Sequence, residues 1–165
     1  MMRTLVMFGA MAALAVSLTA CGTSEASSTA EQETRRDADR WQIDRLEKRF
    51  HQATTTHDID LMMSLYAPNA TLIFASNTAV GKRQIRDFWA KTSQSFKEHW
   101  ISDTPAYKVR ITVNGDRGTL FFECHYTEPK TSKVTFVTAA DADVQRIDGR
   151  WLITNLTGAS ATLKP

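Results

Sequence analysis

Asp141, Asp143 and Gln145 alternate along the chain with Ala140, Ala142 and Val144, so an extended strand puts both carboxylates on one face and the apolar side chains on the other. A carboxyl group in an apolar pocket is pushed toward its neutral form and can then donate or relay a proton, which makes Asp143 a candidate catalytic and pocket residue. In water the same pair is an ordinary solvated strand face, and burying both together would be costly without a shared proton or a cation. The alternation leaves both readings open. Glu123 and His125 stand two apart in another apparent strand and are of the right types for acid–base or metal chemistry. No further histidine stands at ligand spacing, so a surface cross-strand pair is expected there and no metal site. His51 falls off the apolar stripe of its helix, His57 in a loop and His99 at a helix end, and each is expected to be solvated. No Ser-His-Asp order, glycine-rich phosphate loop or CxxC motif appears, and no cofactor is implied.

The two cysteines point to different chemistry. Cys124 lies inside a run that reads as a strand, where a lone cysteine behaves as a small buried apolar side chain. Cys21 closes a segment in which Arg3 precedes an almost wholly apolar run over residues 5–18 and then small residues, the order of a secretory signal. That run is interrupted by Ser17 and Thr19 and is too short for a membrane span, which takes about 20 apolar residues. Leu18-Thr19-Ala20-Cys21 resembles the lipobox of bacterial lipoproteins. The resemblance implies cleavage before Cys21, a diacylglyceryl thioether on its sulfur, further acylation of the new amine, and membrane attachment through these chains. Two or three acyl chains hold a protein stably where one does not. An envelope location follows: the outer membrane of a Gram-negative cell, since Gly22 and no aspartate follows the cysteine, or the outer face of the plasma membrane of a Gram-positive one.

The elements around these residues form one domain. The 165 residues are 42% apolar and 23% charged, an ordinary globular balance. The net charge of +2 falls to +1 if the segment holding Arg3 is removed, with both signs scattered, so no nucleic-acid partner is indicated. Residues 1–20 are read as signal, 21–38 as lipidated cysteine and flexible tether rich in Ser, Thr and Glu, and 39–163 as the folded domain. Ile43, Leu46, Phe50 and Ala53 mark a helix begun near Asp37 or Asp39, and Asp58 caps a short second one. A strand follows over 70–75, and a third helix over 82–96 turns Ile85, Phe88, Trp89 and Phe96 inward. Strands are expected at 100–103, 107–113, 119–127, 133–147 and 150–157, with turns at Asn114-Gly115, Glu128-Pro129 and Asp148-Gly149. This is an α+β arrangement, three N-terminal helices covering one face of an antiparallel sheet.

Three stretches carry a family resemblance: Thr56-His57-Asp58-Ile59-Asp60-Leu61 through Ser64-Leu65-Tyr66-Ala67-Pro68-Asn69-Ala70-Thr71-Leu72; Val80-Gly81-Lys82-Arg83-Gln84-Ile85; and Ile147-Asp148-Gly149-Arg150-Trp151-Leu152. In order and spacing they resemble the SnoaL-like branch of the nuclear transport factor 2-like superfamily. The resemblance implies a cone whose curved sheet wraps a long helix around a pocket, and often a homodimer joined through the sheet. It does not fix an activity, because the superfamily holds isomerases, dehydratases, cyclases and binding subunits. Against the ketosteroid isomerase members, the general-base position falls on Phe74 and the oxyanion tyrosine on Phe50, neither of which exchanges a proton. Only the second acidic donor survives, as Asp143. The aromatic side chains of Phe50, Phe74, Trp89, Phe122, Tyr126 and Trp151 are core by spacing, and some also suit a cavity wall. The expected function is therefore binding of a small, largely apolar ligand or an envelope partner. An isomerase or hydratase, with Asp143 and Tyr126 facing one cavity, and a dimerising interaction module are the alternatives.

Overall fold

Ile43, Leu46, Phe50 and Ala53 are all buried, as their spacing predicts, and they form the inner stripe of one long helix, α1 (Thr23–Thr56). The computed structural model describes residues 23–162, with side chains from residue 28 onward; the expected signal segment and Cys21 lie outside the described residues. At 1.5 Å per residue, the 34 residues of α1 span about 51 Å. The helix thus runs through most of the segment expected to be a flexible tether, which corrects that expectation. Residues 28–38 are exposed on every side, so packing does not explain their helicity. Nucleation is the costly step of helix formation, and here it is met where the helix docks on the domain; each further residue then closes one hydrogen bond. Glu, Ala, Gln and Arg in this stretch propagate a helix readily, and Arg40 Nη1 adds a bond to Asp37 Oδ1 at 3.0 Å.

Asp39 is the first described side chain of α1 to be buried. It accepts from Arg146 Nη2 at 2.7 Å and from Trp151 Nε1 at 3.4 Å, which clamps the helix to the last hairpin of the sheet. Asp58 caps α2 (Ile59–Ser64), accepting from the amides of Asp60 and Leu61 at 3.1 and 2.8 Å. Seven strands follow: β1 (Tyr66–Phe74), β2 (Asn77–Val80), β3 (Ile101–Asp103), β4 (Arg110–Asn114), β5 (Arg117–Glu128), β6 (Lys133–Ile147) and β7 (Arg150–Thr162). They form one curved, unclosed sheet in the order β2-β1-β7-β6-β5-β3, with β4 also on β5. All pairings are antiparallel except β1 with β7. Register shifts at Tyr126/Thr127 and Asp143/Val144 bend the long strands. The Asp148-Gly149 turn, with both residues at positive φ, joins β6 to β7.

The third helix is shorter than its apolar pattern suggests. α3 (Gly81–Asp87) passes into a π-helical turn over Phe88–Thr92, closed by a 2.9 Å bond from Ser93 N–H to the Phe88 carbonyl. This wider turn brings the consecutive Phe88 and Trp89 both inward, to 8% and 3% exposure. Fully burying one such large apolar side chain contributes roughly 1.5–3 kcal/mol.

Candidate functional site

Between α1, the π-helical turn and the concave face of β5, β6 and β7 lies a cavity of about 200 Å³. Phe50 lines it, edge-on to Trp89 (centroids 5.4 Å apart, planes at 81°) and to Phe122 (5.1 Å, 72°). Phe74 closes one side against Phe88 at 5.8 Å. Its ring lies over Gly158, where a Cβ would come within 2.7 Å of it, so only glycine leaves room. Tyr126 and Phe136 form the opposite side, 5.4 Å apart. The polar groups on the lining are uncharged, and four of them pair with one another: Ser93 Oγ with Ser95 Oγ at 2.9 Å, and Tyr126 Oη with Thr138 Oγ1 at 3.4 Å.

Two ionisable side chains line the cavity, Cys124 and Tyr126, and each is about 1% exposed. Burial pushes the Cys124 thiol up to about 12, against opposing hydrogen bonds from Thr138, Tyr126 and Ser102. Burial likewise drives the Tyr126 phenol well above its usual value, with Cys124 adding to the effect. Both stay protonated near neutral pH, so neither is a base, and Cys124 is not a thiolate nucleophile.

Phe50, Phe74, Trp89 and Tyr126 are thus brought together around one cavity, whereas Asp143 is not. Asp141 and Asp143 are exposed on the convex face, with Ala140, Ala142 and Val144 buried beneath them. Asp143 Oδ2 accepts from Asn155 Nδ2 at 3.4 Å and lies along a shallow surface groove with Arg117 and Thr119. The expectation that Asp143 serves the pocket is corrected by strand parity: the three apolar side chains must face the core, and the carboxylates between them then face water. Glu123 and His125 share that outer face, joined at 2.8 Å, with Lys108 Nζ on the other Glu123 oxygen at 3.1 Å.

His51 is a second correction. Expected in solvent, it is 5% exposed and holds a buried network. Nε2 lies 2.6 Å from Oε1 of Glu47, which is itself 0% exposed, and 2.6 Å from Thr104 Oγ1; Nδ1 lies 2.7 Å from Ser102 Oγ. Burial pushes the Glu47 carboxyl up, but the bond and charge of His51, with help from Thr104 and Lys48, outweigh it and hold the group below its ordinary value. Carboxylate, imidazole and hydroxyl in series are the groups of a nucleophilic triad. Ser102, however, is 6% exposed and does not line the cavity, so no reacting atom has a place beside it. The sequence does hold a signal, since Glu47 and His51 are four apart and share a helix face.

A family model described as the SnoaL-like domain matches residues 48–153, well over half of the chain. The chain belongs to the SnoaL-like family. No curated protein matches it in sequence. Among solved structures, a nuclear transport factor 2-like protein with a cystatin-like fold from Novosphingobium aromaticivorans superposes with a TM-score of 0.68 at 17% identity, over 84% of this chain and 91% of that one. A protein of unknown function with a cystatin-like fold from Nostoc punctiforme gives 0.67 at 17%, over 78% and 95%. One provisionally described as a dehydratase, from Streptomyces avermitilis, gives 0.62 at 14%, over 76% and 98%. At these identities the likeness is one of fold. The SnoaL-like domain here carries its aromatic cavity between α1 and the sheet, and its one buried carboxylate–histidine pair behind the cavity wall among the described residues.

Proposed function

We propose that this SnoaL-like domain binds a small, largely apolar molecule in its aromatic cavity, as an envelope protein tethered through lipid on Cys21. The observation that carries the binding reading is the neutral lining: aromatic rings, hydroxyls, the amides of Asn77 and Gln94 and a protonated thiol, with no carboxylate, imidazole or amine on it among the described residues. Such a wall holds and orients an apolar molecule through a few polar contacts and has nothing with which to abstract a proton. The separation of Asp143 from Tyr126 by the thickness of the sheet removes the pairing that an isomerase or hydratase would need. An apolar cavity of about 150 Å³ is enough for benzene, so about 200 Å³ suits a single-ring compound or a short branched chain.

Tryptophan fluorescence and native mass spectrometry of the purified chain against single-ring phenols and branched alcohols should give saturable one-to-one binding. Ala140→Leu, which fills the cavity from β6, should abolish it. Equal binding by that variant, or none by the parent chain, would place the function elsewhere.

The anchor rests on the lipobox-like Leu18-Thr19-Ala20-Cys21. With α1 described from Thr23, the 16 residues to Asp39 form a stiff spacer of about 24 Å between lipid and domain. In cells fed a labelled fatty acid, Cys21→Ser should lose the label and move from the membrane to the soluble fraction; a labelled serine variant would rule the anchor out.

A further inference from the structure

Arg45, Arg49 and Arg150 converge on a groove of about 260 Å³ that shares no residue with the aromatic cavity. Trp41, Arg45 and Arg49 stand at successive fours along α1 and form one wall; the β6–β7 turn at Gly149 and Arg150 forms the other. The floor is apolar, from Leu46, Leu65, Trp151 and Leu152, all nearly buried.

Three arginines share the lining of this groove with no carboxylate among them. Arg40, Arg86 and Arg146 are each paired with aspartate. Neither Arg45, Arg49 nor Arg150 makes an ion pair among the described residues, and no carboxylate lines the groove. The Arg49 Nη2 donor is used on Ser64 Oγ at 3.2 Å, and the Arg45 guanidinium lies 5.5 Å from the centre of the Trp41 ring. With five N–H donors on each guanidinium, most of the donating capacity is unspent. Like charges gathered without counter-charge are unfavourable in the free protein, and an anion relieves them. Trp41 meanwhile leaves 63% of its surface in water beside these cations, a flat apolar wall with only the Arg45 guanidinium near its ring.

We propose that this groove is a second binding site, for a soluble phosphate monoester carrying a planar apolar group. A phosphoryl dianion offers three oxygens to three guanidinium forks, where a carboxylate offers two. The apolar part of the ester lies on Trp41 and the leucine floor. A membrane surface does not fit as well: the groove is recessed between helix and turn, and a chain of net charge +2 has its other charges of both signs scattered.

The test is a titration of the purified chain with phenyl phosphate, followed by the indole resonances of its tryptophans at moderate salt. Saturable binding is expected, with the Trp41 signal moving and benzyl alcohol leaving it unmoved. Arg49→Gln and Arg150→Gln should each weaken binding about tenfold, the scale of one charge-assisted contact, and Arg49→Lys should restore only part. Trp41→Ala should weaken phenyl phosphate and leave inorganic phosphate unchanged. Arg110→Gln, at a guanidinium stacked on Phe121 on the outer sheet face, is the control and should bind like the parent. Binding unaffected by Arg49→Gln, an Arg110→Gln loss as large, or attachment only to phosphatidylglycerol vesicles and not to phenyl phosphate would overturn the proposal.

Discussion

His51→Leu should cost the fold about 3–5 kcal/mol, read as a fall in the urea midpoint at unchanged slope. The size follows from what the substitution leaves behind. Glu47 is 0% exposed and has its Oε1 on His51; its other oxygen makes no hydrogen bond, with only an ion-pair approach from Lys48 Nζ at 3.2 Å. Removing the imidazole strands a buried carboxylate, together with the hydroxyls of Ser102 and Thr104. Removing both side chains, in Glu47→Leu with His51→Leu, should be less damaging than His51→Leu alone, because the stranded carboxylate goes too. The network also fastens β3, which is paired to β5 at only three positions, onto α1. Because Ser102 lies opposite the cavity residue Tyr126, loosening β3 should weaken ligand binding as well. The pH dependence has a definite sign. Glu47 has its folded value held below the ordinary 4.5, so its contribution is complete above that pH and is lost as pH falls through the lowered value. Glu47→Gln should flatten the stability curve in that acid window. A His51→Leu variant within about 0.5 kcal/mol of the parent would show the pair to be energetically idle.

How far such a network can be read from sequence depends on the range of its contacts. The inner stripe of α1, the Asp58 cap and the Asp148-Gly149 turn are local patterns, and each appears in the structure where its residues stand. The His51 partners Ser102 and Thr104 lie 51 and 53 positions away, one on a three-residue strand with no pattern of its own and the other just past its end. The stripe itself misleads at this point: a buried polar pair at its edge looks like the start of the wet face. Asp143 is a different case, because the alternation of Ala140, Ala142 and Val144 already contains the parity that exposes it. The family resemblance pulled the other way, toward a surviving acid in the pocket. The same resemblance puts Phe50 and Phe74 where an isomerase keeps its tyrosine and base, and both side chains line the cavity, so their place on its wall was legible in the sequence. The exposed end of α1 was not, since composition alone does not say whether a polar, helix-favouring segment adjoins a helix already nucleated by packing.

Trp89→Ala is the other large effect, about 3–5 kcal/mol by truncation of a large core side chain. Trp89 is 3% exposed and touches Phe50, Phe88 and Phe96 with centroids between 5.2 and 5.6 Å. Its Nε1–H donates to the phenol oxygen of Tyr66 at 3.2 Å, and Tyr66 is wholly buried, so truncation also strips a buried hydroxyl of its partner. Trp89→Phe separates the two terms: it keeps a ring on the wall and loses the donor, and should cost about 1–3 kcal/mol. Because Trp89 forms one wall of the cavity, its truncation joins the vacated space to the existing 200 Å³, and the alanine variant should gain affinity for two-ring compounds that the parent excludes. Indole added to Trp89→Ala should then raise its melting temperature in proportion to RT ln(1 + [L]/Kd), while leaving the parent unmoved. A fold that tolerates the truncation with no such rescue would mean that the surrounding rings collapse into the space. The apparent cavity would then be slack in the packing, and the fixed, pre-formed volume on which selective ligand binding depends would be missing.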